Sequence, residues 1–367
     1  MHGENGAMQA TGRTLRELIE ELKQGTDASE ALIQELEETC ERDEKAMSAA
    51  KLQGGHGACH FLKGKRCQIY EIRPRFCRQF PVHVHVMRRV QLDANLSCRG
   101  ITEGGSSLRK FGEEVLSHMP RNVVSEELAI STKHARDFDE ECREAGVYQS
   151  PKRIAAIAAK ILPIVAGEEG VGKLLGFADE EPEISEMPED KILHIIDNSE
   201  VPEDLEDVAQ EGNYEQFDLD DLAWLPVYMD EAFSWNVFQS KKNKINWMAL
   251  EEDGSLQLKA EFDTREIKLL PRDEMALAVF ADYAKLLTMR DHFLGYASHV
   301  CAEQEYENDM LTVYIGVLGT TLLDLWWRAS LIGKMFGKTA IDKWLATEGI
   351  RAYDMDCLDA PTIGAFI

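Results

Sequence analysis

Apolar side chains recur at helical spacing in two runs over residues 12–50. Thr14 and Glu17 stand at the separation of a capping box, Gly25-Thr26-Asp27 breaks the pattern, and a second run passes through Ala31, Leu32, Leu36 and Cys40. A glycine-rich loop, LQGGHGA, follows at residues 52–58. In PVHVHVMRRVQL the pattern changes. Val82, Val84, Val86, Val90 and Leu92 alternate with His83, His85, Met87, Arg89 and Gln91, the period of a half-buried strand with its valines facing the core. Helical spacing returns over about residues 105–118, 124–145 and 150–166.

Between Asp179 and Asp221 there are eighteen Asp or Glu residues, three prolines and one basic residue, Lys191. That composition buries little, so the segment reads as an acidic linker or surface segment. Beyond it, INWMALEEDGSLQLKAEFD predicts a hairpin turning at Glu252-Asp253-Gly254, with a further strand around Glu266–Leu270. Pro271-Arg272-Asp273 opens a long helix to about Glu303, and helices follow over about 306–333 and 339–348. The expected fold class is α+β and predominantly helical. Residues 1–118 form a helical lead-in and cysteine-cluster domain, 119–178 a helical connector, 179–221 the acidic segment, and 222–367 a β-hairpin and helical C-terminal domain.

The chain of 367 residues, 44% of them apolar, is long enough to bury a sizeable core. Its net charge of −26 argues against binding nucleic acid through phosphate neutralisation. The first residues carry charges and glycines where a secretory segment needs an apolar core, so a cytoplasmic location is expected. The most apolar run, Met310–Trp326, is short for a membrane span and contains Asp324, with Arg328 one turn later. A buried helix with an intrahelical ion pair, rather than a membrane span, is the expectation.

Eight cysteines in a cytoplasmic chain point to thiols or metal ligands rather than disulfides. Cys59, Cys67, Cys77 and Cys98 fall within forty residues, whereas Cys40, Cys142, Cys301 and Cys357 are scattered. Four thiolates can complete a tetrahedral zinc site or ligate an iron–sulfur cluster. Their spacings, with seven, nine and twenty intervening residues, lack the short separations of a zinc knuckle. Residues 51–100 also hold ten Lys or Arg against Glu71 and Asp93, a basic island in an acidic protein. Such charge offsets the net negative charge of a four-thiolate centre and favours thiolate formation. A solvated basic face, or one that docks the acidic segment, is the plainer alternative.

The stretch CHFLKGKRCQIYEIRPRFCRQFP, with a further cysteine at 98, resembles the YkgJ-type cysteine-cluster family. That family is described as zinc- or iron-chelating and includes flagellin lysine N-methylase. The resemblance is carried by Cys59, Cys67, Ile69, Tyr70, Arg73, Pro74, Cys77, Arg78, Phe80, Pro81 and Cys98. It implies that Cys59, Cys67, Cys77 and Cys98 are metal ligands, with Arg73, Arg78 and Tyr70 standing around them. The family carries an upstream CxxCC element, whereas residues 1–58 hold Cys40 alone. Cys40 and the flanking His83 and His85 are therefore additional candidates for the metal site. An iron–sulfur cluster, most simply 4Fe–4S, is the expected cofactor, with zinc as the alternative.

Other signals are weaker. Gly167-Glu-Glu-Gly-Val-Gly172-Lys173 has phosphate-loop spacing, but two glutamates lie within it and Leu174 replaces the magnesium-binding hydroxyl. His292 and His299 stand seven apart on one expected helix, where ordinary core or surface histidines explain them as well. The expected function is metal binding in electron transfer, redox sensing or support of a protein partner. A metal-dependent enzyme of the lysine N-methylase type and an acidic adaptor with structural zinc are the alternatives.

Overall fold

A computed structural model of the chain describes residues 81–101, 108–117, 119–210, 227–241, 243–251 and 255–359, together with the backbone of four two-residue strands. Those strands are β1 (Gln53–Gly54), β2 (Ala58–Cys59), β3 (Leu62–Lys63) and β4 (Arg66–Cys67). They pair as two antiparallel ladders, with Gln53 opposite Cys59 and Leu62 opposite Cys67. The expected helices before residue 51 lie outside the described residues.

The alternating segment is a hairpin rather than one strand: β5 (Val82–Val86) and β6 (Val90–Ala94) turn through Met87–Arg89. Next come α1 (Leu108–Ser117), α2 (Arg121–Ala145), α3 (Pro151–Val165), α4 (Gly170–Asp179) and α5 (Glu189–Asn198). Ser150 caps α3 by accepting the Arg153 N–H, and Pro151 occupies its first position, where a missing N–H costs nothing. Helix α1 covers the valine face of the hairpin, bringing Gly112 against Leu92 and Val82.

The phosphate-loop lookalike is the entry to α4, and the last glycine of its motif serves packing. A Cβ on Gly172 would stand 2.5 Å from Val201 Cγ1, so the residue lets α4 lie against the acidic segment. That segment itself carries α5, whose Ile192 and Ile196 are fully buried along with Ile184. Its carboxylates take the outward positions, as an amphipathic helix requires.

The C-terminal strands form a four-stranded antiparallel sheet in the order β10–β9–β8–β7, from β7 (Val227–Met229), β8 (Trp235–Lys241), β9 (Lys244–Leu250) and β10 (Leu256–Asp263). The expected hairpin is β9 with β10, and β7 and β8 extend it. The strand expected around Glu266–Leu270 is absent from the described structure. Its place is taken by a 3₁₀ turn, Thr264–Glu266, and an extended stretch whose backbone is satisfied by a helix instead. Leu270 N–H donates to Ser330 Oγ and its carbonyl accepts from Trp326 Nε1.

The predicted long helix is two: α6 (Glu274–Met289) and α7 (Asp291–Glu303), with Arg290 extended between them. Helices α8 (Met310–Met335) and α9 (Lys343–Asp359) complete the chain, α9 running well past the expected end at residue 348. Helix α8 is long and apolar enough to cross a membrane by length and composition, yet most of its apolar stretch is buried inside the protein. Its Arg328 Nε donates to Asp324 Oδ1 at 2.8 Å, the intrahelical pair read from spacing. Gly349 lets α9 approach α8 closely, since a Cβ there would lie 2.7 Å from that of Ala329. Together α3, α4, α6, α8 and α9 enclose the main apolar core.

Candidate metal centre

Cys98 lies on a turn that packs against the helical body. After β6, Asn95 N–H donates to Pro81 O, Cys98 N–H donates to Asn95 O, and Cys98 remains a free, half-buried thiol. Its neighbours are clamped to two fully buried acids of α9. Leu96 N–H donates to Asp354 Oδ2 at 2.7 Å, and Arg99 Nη1 donates to Glu348 Oε1 at 2.8 Å. A second guanidinium nitrogen of Arg99 contacts Glu348 Oε2 and also donates to Met229 O at 2.6 Å. Tyr228 OH donates to the same carboxylate, which Arg351 also contacts at 2.6 Å. Arg290 mirrors this arrangement: Nη1 donates to Asp354 Oδ1 at 3.0 Å, Nη2 to Ala94 O at 3.2 Å, and Tyr283 OH completes the carboxylate. Charge-assisted bonds in a dry interior hold such a turn rigidly.

The break between α6 and α7 has its explanation here. Two helix ends meeting at Arg290 expose a carbonyl and an N–H, and the hairpin residue Gln91 takes both. Gln91 Nε2 donates to Met289 O at 2.7 Å, while Gln91 Oε1 accepts from Asp291 N–H at 2.6 Å. This junction sets His292 in the first turn of α7, facing the hairpin.

The polar face of the hairpin is consequently covered. In the β5–β6 register His83 stands opposite Asp93 and His85 opposite Gln91, so these four share one face. His85 Nε2 lies 3.7 Å and His292 Nδ1 3.4 Å from Asp93 Oδ2. The first is too long for a hydrogen bond, and the second, at the limit of length, is not aligned as one, though it is close enough for His292 to favour the carboxylate. Asp93 Oδ2, His85 Nε2, both ring nitrogens of His292 and His83 Nε2 are buried without a hydrogen-bond partner. Each such group costs about 1–3 kcal/mol if nothing else satisfies it. The rings of His85 and His292 lie with centroids 4.7 Å apart, and those of His83 and His85 6.1 Å apart.

Burial, reinforced by neighbouring His292, pushes His85 down to about 4, and burial also lowers His83. Burial works to raise Asp93, but His292, Arg290 and His85 outweigh it and hold the carboxyl below its usual range. Near neutral pH the pocket thus offers two uncharged imidazoles of the hairpin beside a carboxylate, the protonation states that metal ligation needs. Asp93, His85 and His292 have their donor atoms all within 4.8 Å of one another.

Of the residues singled out from sequence, the structure describes the side chains of Cys98, His83 and His85. Cys40, Tyr70, Arg73, Cys77 and Arg78, and the side chains of Cys59 and Cys67, lie outside the described residues. The strand histidines His83 and His85, additional candidates for the metal site, are half-buried. His292 joins them, whereas His299, two turns further along α7, stays exposed against Glu303. Sequence reasoning missed Asp93, Arg290, Glu348 and Asp354. The signal for the last two was present: Leu345, Glu348 and Ala352, and Ala346, Ile350 and Asp354, follow buried helical spacing, with acids where apolar residues belong.

Residues 20–99 match the CxxCxxCC family, described as a putative zinc- or iron-chelating domain. The matched segment contains the four clustered cysteines and the YkgJ-type resemblance read from residues 59–98, and it reaches upstream past Cys40. Metal binding is the property this match supports. No curated protein and no solved structure matches the chain.

Proposed function

We propose that the chain is a metal-binding protein in which Cys59, Cys67, Cys77 and Cys98 hold an iron–sulfur cluster and serve electron transfer or redox sensing toward a cytoplasmic protein partner. The observation that carries this reading is the mount of Cys98. It is a free thiol at the edge of the chelating segment, on a turn clamped on both sides to buried carboxylates. The donor set fits a four-thiolate centre, and the surrounding arginines and lysines balance the charge of one. A cluster of this kind accepts and donates single electrons. A rigid ligand turn suits that task because little structure then rearranges when the charge changes. Zinc in the same four thiolates is structural, with no open coordination position.

Purification without oxygen, with zinc, iron and acid-labile sulfide measured per chain, tests the reading. Iron with matching sulfide and a brown colour, lost in Cys98→Ser and Cys77→Ser, is the expected result. One colourless zinc per chain replaces the redox role with a structural one, and neither metal overturns the assignment.

A further inference from the structure

We propose that His85, Asp93 and His292 form a second, separate site for a divalent first-row transition-metal ion of the zinc or ferrous iron class. The three donors come from β5, β6 and the start of α7, so the site exists only when the hairpin docks on the helical body. Two imidazoles and one carboxylate suit zinc or ferrous iron, and three protein ligands leave coordination open.

The geometry is close to that of a filled site. Ligands 2.0–2.1 Å from a tetrahedral ion stand about 3.4 Å from one another. The imidazole-to-carboxylate distances are 3.4 and 3.7 Å, and all three donor atoms lie within 4.8 Å of one another. The carboxylate is also oriented: Asp93 Oδ1 faces Arg290 Nε at 4.0 Å, while Oδ2 turns to the histidines. Arg290 is itself committed to Asp354 through two nitrogens, so its charge is largely balanced where it stands.

The second observation is the unmet hydrogen-bonding capacity. Asp93 is more than nine-tenths buried, and its Oδ2 has no hydrogen-bond partner, like the imidazole nitrogens around it. Buried polar atoms are almost always satisfied, and several facing one another describe a place for a cation. His83, beside His85 on the same strand face, can supply a fourth donor or hold a metal-bound water. Among the described residues Cys98 does not belong to this group.

Cobalt(II) titration of chelator-treated, full-length protein tests the assignment. In a variant carrying Cys59→Ser, Cys67→Ser, Cys77→Ser and Cys98→Ser, one equivalent is expected to bind with weak visible bands and no thiolate charge-transfer absorption. His85→Gln and His292→Gln are each expected to weaken that binding at least tenfold while leaving the circular dichroism spectrum unchanged. If the cysteine variant does not fold, the histidine variants are compared with the native chain. The expected result is then the loss of one cobalt equivalent with any thiolate absorption intact. A folded cysteine variant that binds no cobalt, or histidine variants that bind as the native chain does, overturns the proposal. Failure of the cysteine reading has a different signature: absence of thiolate absorption with the histidine-dependent equivalent retained.

Discussion

Two buried polar clusters lie between the hairpin and the C-terminal helices, and they differ in completeness. Around Glu348 and Asp354, each carboxylate is met by an arginine and a tyrosine, with Arg351 added at Glu348 and the Leu96 N–H at Asp354. Around Asp93, two histidines approach within 3.4 and 3.7 Å of the carboxylate and no hydrogen bond forms. In the first cluster every carboxylate oxygen is met and the role is structural, whereas in the second Asp93 Oδ2 is unmet and poised for a ligand. Burial and charge alone do not distinguish them; satisfaction of the donor and acceptor atoms does.

The largest effect should come from opening the closed cluster. Asp354→Ala leaves Arg290 buried without its carboxylate and is expected to cost about 3–5 kcal/mol, read as a lowered urea midpoint. A loss under about 1 kcal/mol would sink the view that this cluster holds the turn. Tyr228→Phe keeps the Arg99–Glu348 pair and removes the two hydrogen bonds of the hydroxyl, one donated to Glu348 and one accepted from Arg99, so about 1–2 kcal/mol is expected from the same measurement. Gln91→Ala strips the α6–α7 junction of its bridge and should cost a similar amount, with faster amide exchange at Asp291.

The open cluster should respond in the opposite sense. In metal-free protein His292→Leu replaces two unsatisfied nitrogens with an apolar group and is expected to leave stability within about 1 kcal/mol or raise it. A loss as large as that of Asp354→Ala would mean that the histidine is already paired, and the contrast would fail. The smallest effect concerns thiols. Burial pushes Cys142 up to about 12, so at pH 8 only about one molecule in ten thousand carries its thiolate. Iodoacetamide on native, metal-free protein should therefore spare Cys142 and modify half-buried Cys98 ahead of it, as read by peptide mass spectrometry.

Much of the secondary structure is legible in the sequence because it depends on local spacing. The helices α1, α2 and α3, the β9–β10 hairpin and the Asp324–Arg328 pair all lie close to their expected places. Errors arose where a distant partner decided the outcome. The stretch after Thr264 is strand-like in composition, but Ser330 and Trp326 of α8 take its backbone bonds. The 271–303 pattern is helical throughout, but Gln91 and Asp354 stabilise a break at Arg290. Composition alone does not show that the few isoleucines of the acidic segment bury one face of α5.

The sequence by itself determined that a cysteine-rich, basic segment of metal-chelating type precedes a largely helical body, because residue type and spacing are local properties. It also determined that His83 and His85 share a strand face, since alternation fixes sides. What covers that face was decided only by the tertiary structure. Asp93 reaches it through hairpin register, and His292 through a helix junction far along the chain. Ligand sets and charge pairs depend on distance in space, and the folding of distant segments onto one another sets that distance.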